Sequence, residues 1–389
     1  MEILKALLNL RRWHYLWLLL IVVFTLVAHF IIIAQPPEPL FDEQHYVPDA
    51  RSILKGEGTL RLEHPPLGKL MIAAGISIFG DNAIGWRAFS ILFGTAGIVF
   101  FYLICRRLTM TRRASLLATF LLALDNLTFV QASVAMLDVY SVTFMLAAFW
   151  LYLKGNYPLS GVLLGLSTLA KLNGALALPA IALHWALTRQ DKPWKFTASM
   201  VLAPLAFVVL LPVFNFIVLR HWTNPIDSIN TMLNLSSSLT FASTTHPNAS
   251  RPWMWILRPE IMPYWYTPHY IGAISFTIWG LIVPAIIFMV YRLRRNSNAS
   301  FFGLTWFVST YLVWIPLSLL TNRISFIFYF YPTVGAICIG IASGLCHLIN
   351  RASLSASNKL RRVVQIAIPG YLLLHLAVFI VLTPLTKFW

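Results

Sequence analysis

The sequence predicts an all-α polytopic membrane protein. Three observations carry that reading: 58% of the 389 residues are hydrophobic, only 11% are charged, and the mean hydropathy is +0.73. Soluble domains carry about 25% charged residues, and a chain this apolar would expose far more hydrocarbon than water tolerates. The 22 prolines and 14 tryptophans fit the class, because membrane helices tolerate proline and membrane interfaces collect aromatic side chains.

Taking a span as about 20 apolar residues, with shorter ones allowed inside a bundle, the chain reads as about eleven helices. They are expected at 13–34, 84–105, 113–131, 137–153, 158–170, 173–188, 197–219, 270–291, 301–320, 325–348 and 364–385. The first follows basic residues but is too long for a signal peptide and has no small-residue cleavage site, so it reads as a retained span. Between the spans lie two long loops, 35–83 and 220–269. The first ends in a helix that Pro65 and Pro66 help to start and that is expected along the membrane surface. No repeat or low-complexity tail divides the chain, so residues 1–389 are read as one membrane domain.

The formal charge of +16 does not indicate nucleic acid. Its basic residues sit in short runs at the ends of apolar segments, such as Arg106-Arg107, Arg112-Arg113, Arg294-Arg295 and Arg361-Arg362, which is the positive-inside pattern. A nucleic-acid site would interleave a basic face with exposed aromatics. With the N-terminus inside, only Glu2 and Asp191 of the 13 acidic residues fall on the inner side. The chemistry is therefore expected on the outer face. Cys105, Cys338 and Cys346 lie in or beside apolar segments with no metal or disulfide spacing.

The stretch FDEQHYVPDARSILKGEGTLRLEHPPLGK, from Phe41 to Lys69, concentrates carboxylates and histidines between apolar segments, where charge is costly unless used or solvated. Asp42 or Glu43 could serve as a general base. Neighbours on an extended chain point opposite ways, so one is expected to be the base and the other an orienting partner. In His64-Pro65-Pro66-Leu67-Gly68-Lys69 the prolines fix the backbone, and His64 and Lys69 supply donors for a phosphate or sugar, or else Lys69 simply reaches headgroups. Arg87 at the start of the second span needs an acid or an anion, and Arg323 is a second such cation. Asp125, Asn126, Gln131 and Asp138 form a polar group at the outer ends of the next helices, where Arg87 and Lys171 are alternative ion-pair partners for Asp138. In the late loop, Trp253 and Trp255 read either as an interfacial belt or as aromatic faces for a sugar or peptide. No HExxH, CxxC, P-loop or GxSxG pattern occurs.

Together FDEQHY, HPPLGK, GWR, LDN with a following Gln and LD, and HPNASRPWMW resemble the protein O-mannosyltransferases, glycosyltransferases of the GT-C class. The late-loop pattern of that family is matched at His246, Pro247, Ser250, Pro252, Trp253 and Trp255, with Asn248 in place of a tyrosine. The resemblance runs from about residue 38 to the end, and the loop 220–269 lacks the β-trefoil insert of eukaryotic members, as in prokaryotic relatives. It implies a GT-C fold and transfer of mannose, with inversion, from polyprenyl-phosphate mannose to Ser or Thr hydroxyls of a translocated polypeptide, with the secretion machinery as the expected source of that polypeptide. It implies a multi-pass protein of a prokaryotic plasma membrane with an extracytoplasmic site. It also implies Asp42 as base with Glu43 its partner, and Arg87 with Lys69, His64 and Arg323 on the donor phosphate. Asp125, Asn126, Gln131, Asp138, His246, Trp253 and Trp255 are the remaining candidates, for substrate contacts.

No cofactor beyond the lipid-linked sugar is expected; no cluster resembles the carboxylate cage of a divalent ion, and metal dependence stays open. Two other readings stand beside this one. A same-class enzyme would glycosylate a lipid or envelope glycan. A transporter would instead place its ionisable groups near mid-membrane.

Overall fold

The computed structural model describes residues 10–188, 193–243 and 245–385. Glu2 and Asp191, read above as inner-face charges, lie outside the described residues. The chain is a multi-pass helical membrane protein, with one two-stranded hairpin as its extended element among the described residues.

Helix α1 (Leu10–Ile32) leads into the first loop, which is itself largely helical: α2 (Glu43–Lys55) and α3 (Pro66–Phe79). As expected, Pro66 occupies the first turn of α3, where its missing N–H costs nothing. Then come α4 (Ala83–Arg107), α5 (Arg112–Ala123), α6 (Asn126–Ser133), α7 (Leu137–Leu153), α8 (Tyr157–Ala170), α9 (Ala177–Thr188) and α10 (Pro193–Leu219). The late loop carries α11 (Pro225–Ser238), the single turn α12 (Met254–Leu257) and the hairpin β1 (Met262–Tyr266) with β2 (His269–Gly272), paired antiparallel. After α13 (Phe276–Trp279), α14 (Ile282–Leu293), α15 (Asn298–Phe307) and α16 (Trp314–Thr321), the chain closes with α17 (Val334–Leu354) and α18 (Asn358–Leu382).

Fewer of these are full spans than the sequence suggests. Among the described residues six helical stretches are long and apolar enough to cross a membrane: Tyr15–Ile32, α4, α10, Asn298–Thr321, Ile327–Leu354 and α18. A seventh exists if α5 and α6, bent by 58° to one another, form one span. The bend has a local cause. Asp125 caps a new helix by accepting from the Thr128 N–H at 2.9 Å, so the run expected at 113–131 breaks there. Likewise α7, with 17 residues, is only about 25 Å long, short of a ~30 Å hydrocarbon core. The span expected at 270–291 is divided among β2, α13 and α14.

Packing sorts the helices by what covers them. The most apolar windows of α10 and α18 are each only 17% buried within the fold and that of α1 22%, whereas that of Ile327–Leu354 is 61% buried. The first three present their side chains to lipid; the last runs through the middle. Helix α8 packs tightly on α10 because Gly161 and Gly165 are spaced four apart on one face. A Cβ on Gly165 would lie 2.7 Å from that of Ala206, the small-residue logic of helix packing without a hydrophobic drive.

Candidate active site

Just before α2 the backbone takes a strained turn: Phe41 has φ +47°, a region side chains rarely adopt. Its ring is stacked on Tyr264 of β1, with centroids 4.3 Å apart and planes within 6°. That turn sends the next two side chains to different places. Asp42 lines a cavity of about 250 Å³, near the lower end of small-ligand sites. Glu43 points away from it into the protein.

Glu43 and Arg87 form a closed unit, both side chains fully buried. The Arg87 Nε and Nη2 donate to the two Glu43 carboxylate oxygens at 2.8 Å each. The remaining guanidinium hydrogens go to the carbonyls of Ile33, Gln35, Pro36 and Glu38. Glu43 also accepts from the Leu40 and Ala135 backbone N–H groups, at 3.0 and 2.8 Å. All five N–H donors of Arg87 are therefore used. The assignment of Arg87 to a donor phosphate is corrected accordingly: it ties the end of α1 and the segment before Asp42 to α4. Glu43 in turn spends its carboxylate on Arg87 and on two backbone N–H groups.

Lys69 is also inward-facing. Its ammonium donates to Asp49 Oδ2 at 3.3 Å, to Thr59 Oγ1 at 2.9 Å and to the Arg61 carbonyl. Its three hydrogens are thus occupied, so it too is withdrawn from the phosphate and pins the 59–61 turn instead. Gly68 beside it is required by packing, because a Cβ there would meet Leu137 Cδ2 at 2.8 Å and the Ala170 carbonyl at 3.0 Å.

Asp42 shares the cavity with His45, Tyr46, Arg61, Glu63, His64, Lys171, His246, Arg323, Phe328 and Tyr329. Burial pushes its carboxyl up to about 6; Lys171 opposes that, Asp138 adds to it, and a hydrogen bond from the Tyr46 side chain also opposes it. A carboxyl placed there can take a proton near neutral pH. His64 is held well below its ordinary value, first by burial and then by Lys171, Lys69, Arg323 and Arg61, so it is neutral.

Three cations face this space. Lys171 is bound to Asp138 Oδ2 at 2.7 Å and lies over the rings of Phe328 and Tyr329, at 5.2 and 5.8 Å. Arg61 contacts His45 Nδ1 at 2.9 Å and lies 3.9 Å from Glu63. Arg323 has a buried Nε–H with no hydrogen-bond partner. An unmatched buried guanidinium donor costs roughly 1–3 kcal/mol or more, and an anion in the cavity would relieve it.

The late-loop motif proves to be the splint for that arginine. Ser250 and Ser325 exchange hydrogen bonds, the Ser250 N–H to the Ser325 carbonyl at 2.9 Å and the Ser325 hydroxyl to the Ser250 carbonyl at 2.8 Å. Arg251 donates to Ser318 and Asn322. Trp255 is fully buried and donates to Ser250 Oγ at 2.9 Å, while Trp253 lies beside Arg251, 5.8 Å from ring to guanidinium. Neither tryptophan lines the cavity, which corrects their assignment to substrate. His246 does line it, edge-on to Phe326 at 5.1 Å.

The group after α5 is likewise structural. Asp125 accepts from Thr128 and from the Ser275 N–H, and Asn126 donates to the Ile271 and Ala273 carbonyls, fastening α6 to β2. Gln131 donates to the Tyr264 hydroxyl at 2.7 Å, and so supports the ring stacked on Phe41. These three are withdrawn as substrate contacts, because each is buried away from the cavity. Asp138 acts through Lys171. Sequence reasoning gave Lys171 only as a partner for Asp138 and passed over Arg61; its one signal was a basic residue close to HPPLGK.

Residues 63–255 match the family described as dolichyl-phosphate-mannose-protein mannosyltransferase. The chain is 24% identical over 470 residues to the polyprenol-phosphate-mannose–protein mannosyltransferase of Corynebacterium glutamicum, covering 95% of this chain and 89% of that one. Its fold is similar to that of the Saccharomyces cerevisiae protein O-mannosyltransferase Pmt1–Pmt2 complex bound to the sugar donor, with a TM-score of 0.77 at 12% identity over 96% of this chain and 90% of that chain. It is also similar to ArnT from Cupriavidus metallidurans bound to undecaprenyl phosphate, with a TM-score of 0.60 at 17% identity over 95% and 76% of the two chains.

Proposed function

We propose that this chain, which belongs to the protein O-mannosyltransferase family of GT-C glycosyltransferases, transfers mannose from polyprenyl-phosphate mannose to Ser or Thr hydroxyls of translocated polypeptides. The observation that carries the reading is the pairing, in one cavity, of a carboxyl raised to about 6 with the unmatched Arg323 donor. A transfer with inversion needs a base on one side of the sugar and cations on the leaving phosphate at the other.

In this mechanism Asp42 takes the proton of the acceptor hydroxyl as its oxygen bonds to the anomeric carbon. The bond from that carbon to the phosphate oxygen breaks, and polyprenyl phosphate leaves with the electron pair. Arg323 and Lys171 hold the phosphate, Lys171 passing part of its charge from Asp138 to the incoming oxygens. Phe328 and Tyr329 offer apolar faces to the sugar ring. His64, which is neutral, and His246 are hydrogen-bond partners for its hydroxyls. The phosphate's charge is met by the protein's own cations, Arg323 and Lys171, and the reaction is proposed to run without a divalent ion. The site faces the extracytoplasmic side of a prokaryotic plasma membrane, where a polypeptide leaving the secretion machinery meets it.

The test is transfer of radiolabelled mannose from polyprenyl-phosphate mannose to a Ser/Thr-rich peptide by the purified chain. Labelled peptide supports the reading. Labelled lipid or glycan in its place, with no peptide product, overturns the protein acceptor and leaves the same-class alternative.

A further inference from the structure

On the far side of His64 from Asp42 lies a second, larger opening. It measures about 460 Å³ and is lined by Thr59, Leu62, His64, Pro66 and Lys69 from the first loop and by the outer end of α10 with the first turns of α11. His64 belongs to the walls of both spaces. Nothing in the mechanism above uses the second one.

The two spaces differ in chemistry. The Asp42 cavity is rich in cations and aromatic rings. The second mixes apolar side chains, among them Leu62, Val218, Leu219, Trp222 and Met232, which make up most of its surface, with hydrogen-bonding groups of Asn215, His221, Thr223, Asn224, Ser228 and Thr231. Asn215 already bridges Thr223 and Ser228, at 2.9 and 3.1 Å, so the wall is ordered. Lys69 reaches it with its charge committed to Asp49. Asp227 is exposed in the groove and forms no ion pair among the described residues. With the Lys69 charge spent on Asp49, Asp227 is the unmatched charge of the groove among the described residues. A phosphate would meet Asp227 as a like charge, while the apolar side chains and hydrogen-bonding groups together make a mixed wall. An extended polypeptide suits them, since its backbone N–H and C=O groups need partners throughout.

We infer that this groove seats the acceptor segment, its Ser or Thr reaching Asp42 past His64, and that Asp227 selects segments carrying Lys or Arg near that hydroxyl. This rests on the proposed mannosyl transfer and adds to it a site and a sequence preference. Donor and acceptor then enter from opposite sides of His64. Its neutral state suits that position, because a charged imidazolium between the two would bind the donor phosphate and block the passage.

The experiment compares two peptides that differ only in a Lys or a Glu near one Thr, with the purified full chain and with Asp227→Lys. An exposed charge pair is worth a few tenths to 1 kcal/mol, so the wild type should prefer the Lys peptide by roughly two- to fivefold in KM, and Asp227→Lys should invert the order. The KM for donor is read in parallel. A preference that the substitution leaves unchanged overturns the proposal, as does a variant whose change falls on donor KM. Fluorescent versions of the same peptides are also titrated directly. If the wild type labels neither peptide, charge-selective binding that inverts in Asp227→Lys upholds the groove while the transfer reading fails; absence of binding overturns the groove as well.

Discussion

Replacing Arg87 by Met separates a structural role from a donor role. The wild-type guanidinium makes a two-point bond to Glu43, both contacts at 2.8 Å, with both side chains fully buried. In Arg87→Met the Glu43 carboxylate stays buried with only the Leu40 and Ala135 N–H groups to meet it. Stranding one partner of a buried pair costs about 3–5 kcal/mol, roughly a hundred- to several-thousand-fold in the folding equilibrium at 1.4 kcal/mol per decade. Four carbonyls, those of Ile33, Gln35, Pro36 and Glu38, lose their donor as well. The assay is thermal unfolding of the detergent-purified protein alongside donor affinity of its folded fraction. We expect a large loss of thermal stability, with donor affinity of the surviving folded protein near wild type. Adding Glu43→Gln should recover part of the loss, since it removes the stranded charge; the coupling between such neighbours is typically 0.5–3 kcal/mol. An Arg87→Met protein that melts like wild type yet no longer binds donor would refute this account.

Four further outcomes follow from the cavity. Because the Asp42 carboxyl is raised to about 6 by burial and acts only when ionised, kcat/KM should be full above that pH and fall as pH drops through it. Lys171→Met removes the cation that holds it down, so its acid limb should move to higher pH; a limb in the ordinary carboxylate range in either protein contradicts the assignment. The same raised value contributes stability below the ordinary carboxyl range that is lost as pH rises through about 6, so Asp42→Asn should gain relative stability near neutral pH, read by thermal unfolding. Arg323→Gln removes a charge-assisted contact worth about 1.5–3 kcal/mol, and donor KM should rise roughly ten- to a hundredfold with little change in melting; unchanged donor KM counts against Arg323. Transfer should persist in excess EDTA, and loss of activity restored by a divalent ion would overturn the metal-free proposal.

The helical, membrane-spanning character was legible because composition and hydropathy act over whole segments. The span count was not. Asp125 reads as one polar residue inside an apolar run, and only its hydrogen bonds to Thr128 and Ser275 show it ending one helix and starting another. Asp42 and Glu43 were read as a divided pair on the premise of an extended chain, whereas Asp42 has helical dihedrals at the start of α2 and the turn at Phe41 is what sends the two side chains apart. Which cations face the cavity was not legible, because Arg87, Lys69 and Arg323 are all single basic residues flanked by apolar chain, and what distinguishes them is whether their donors are already spent. The tryptophans of the late loop misled for a related reason. Trp255 belongs to a motif that fixes the segment bearing Arg323, so its value lies in packing and in its bond to Ser250, neither of which spacing reveals.

The central claim is that Asp42 is the base of a sugar transfer, and it is tested most directly by wild type and Asp42→Asn side by side, with radiolabelled polyprenyl-phosphate mannose and a Ser/Thr-rich peptide. The substitution keeps the shape and removes the proton acceptor. Removing a positioned general base costs roughly 10²–10⁴-fold, so peptide labelling should fall by that factor while donor binding persists. Equal labelling by the two proteins would contradict the account.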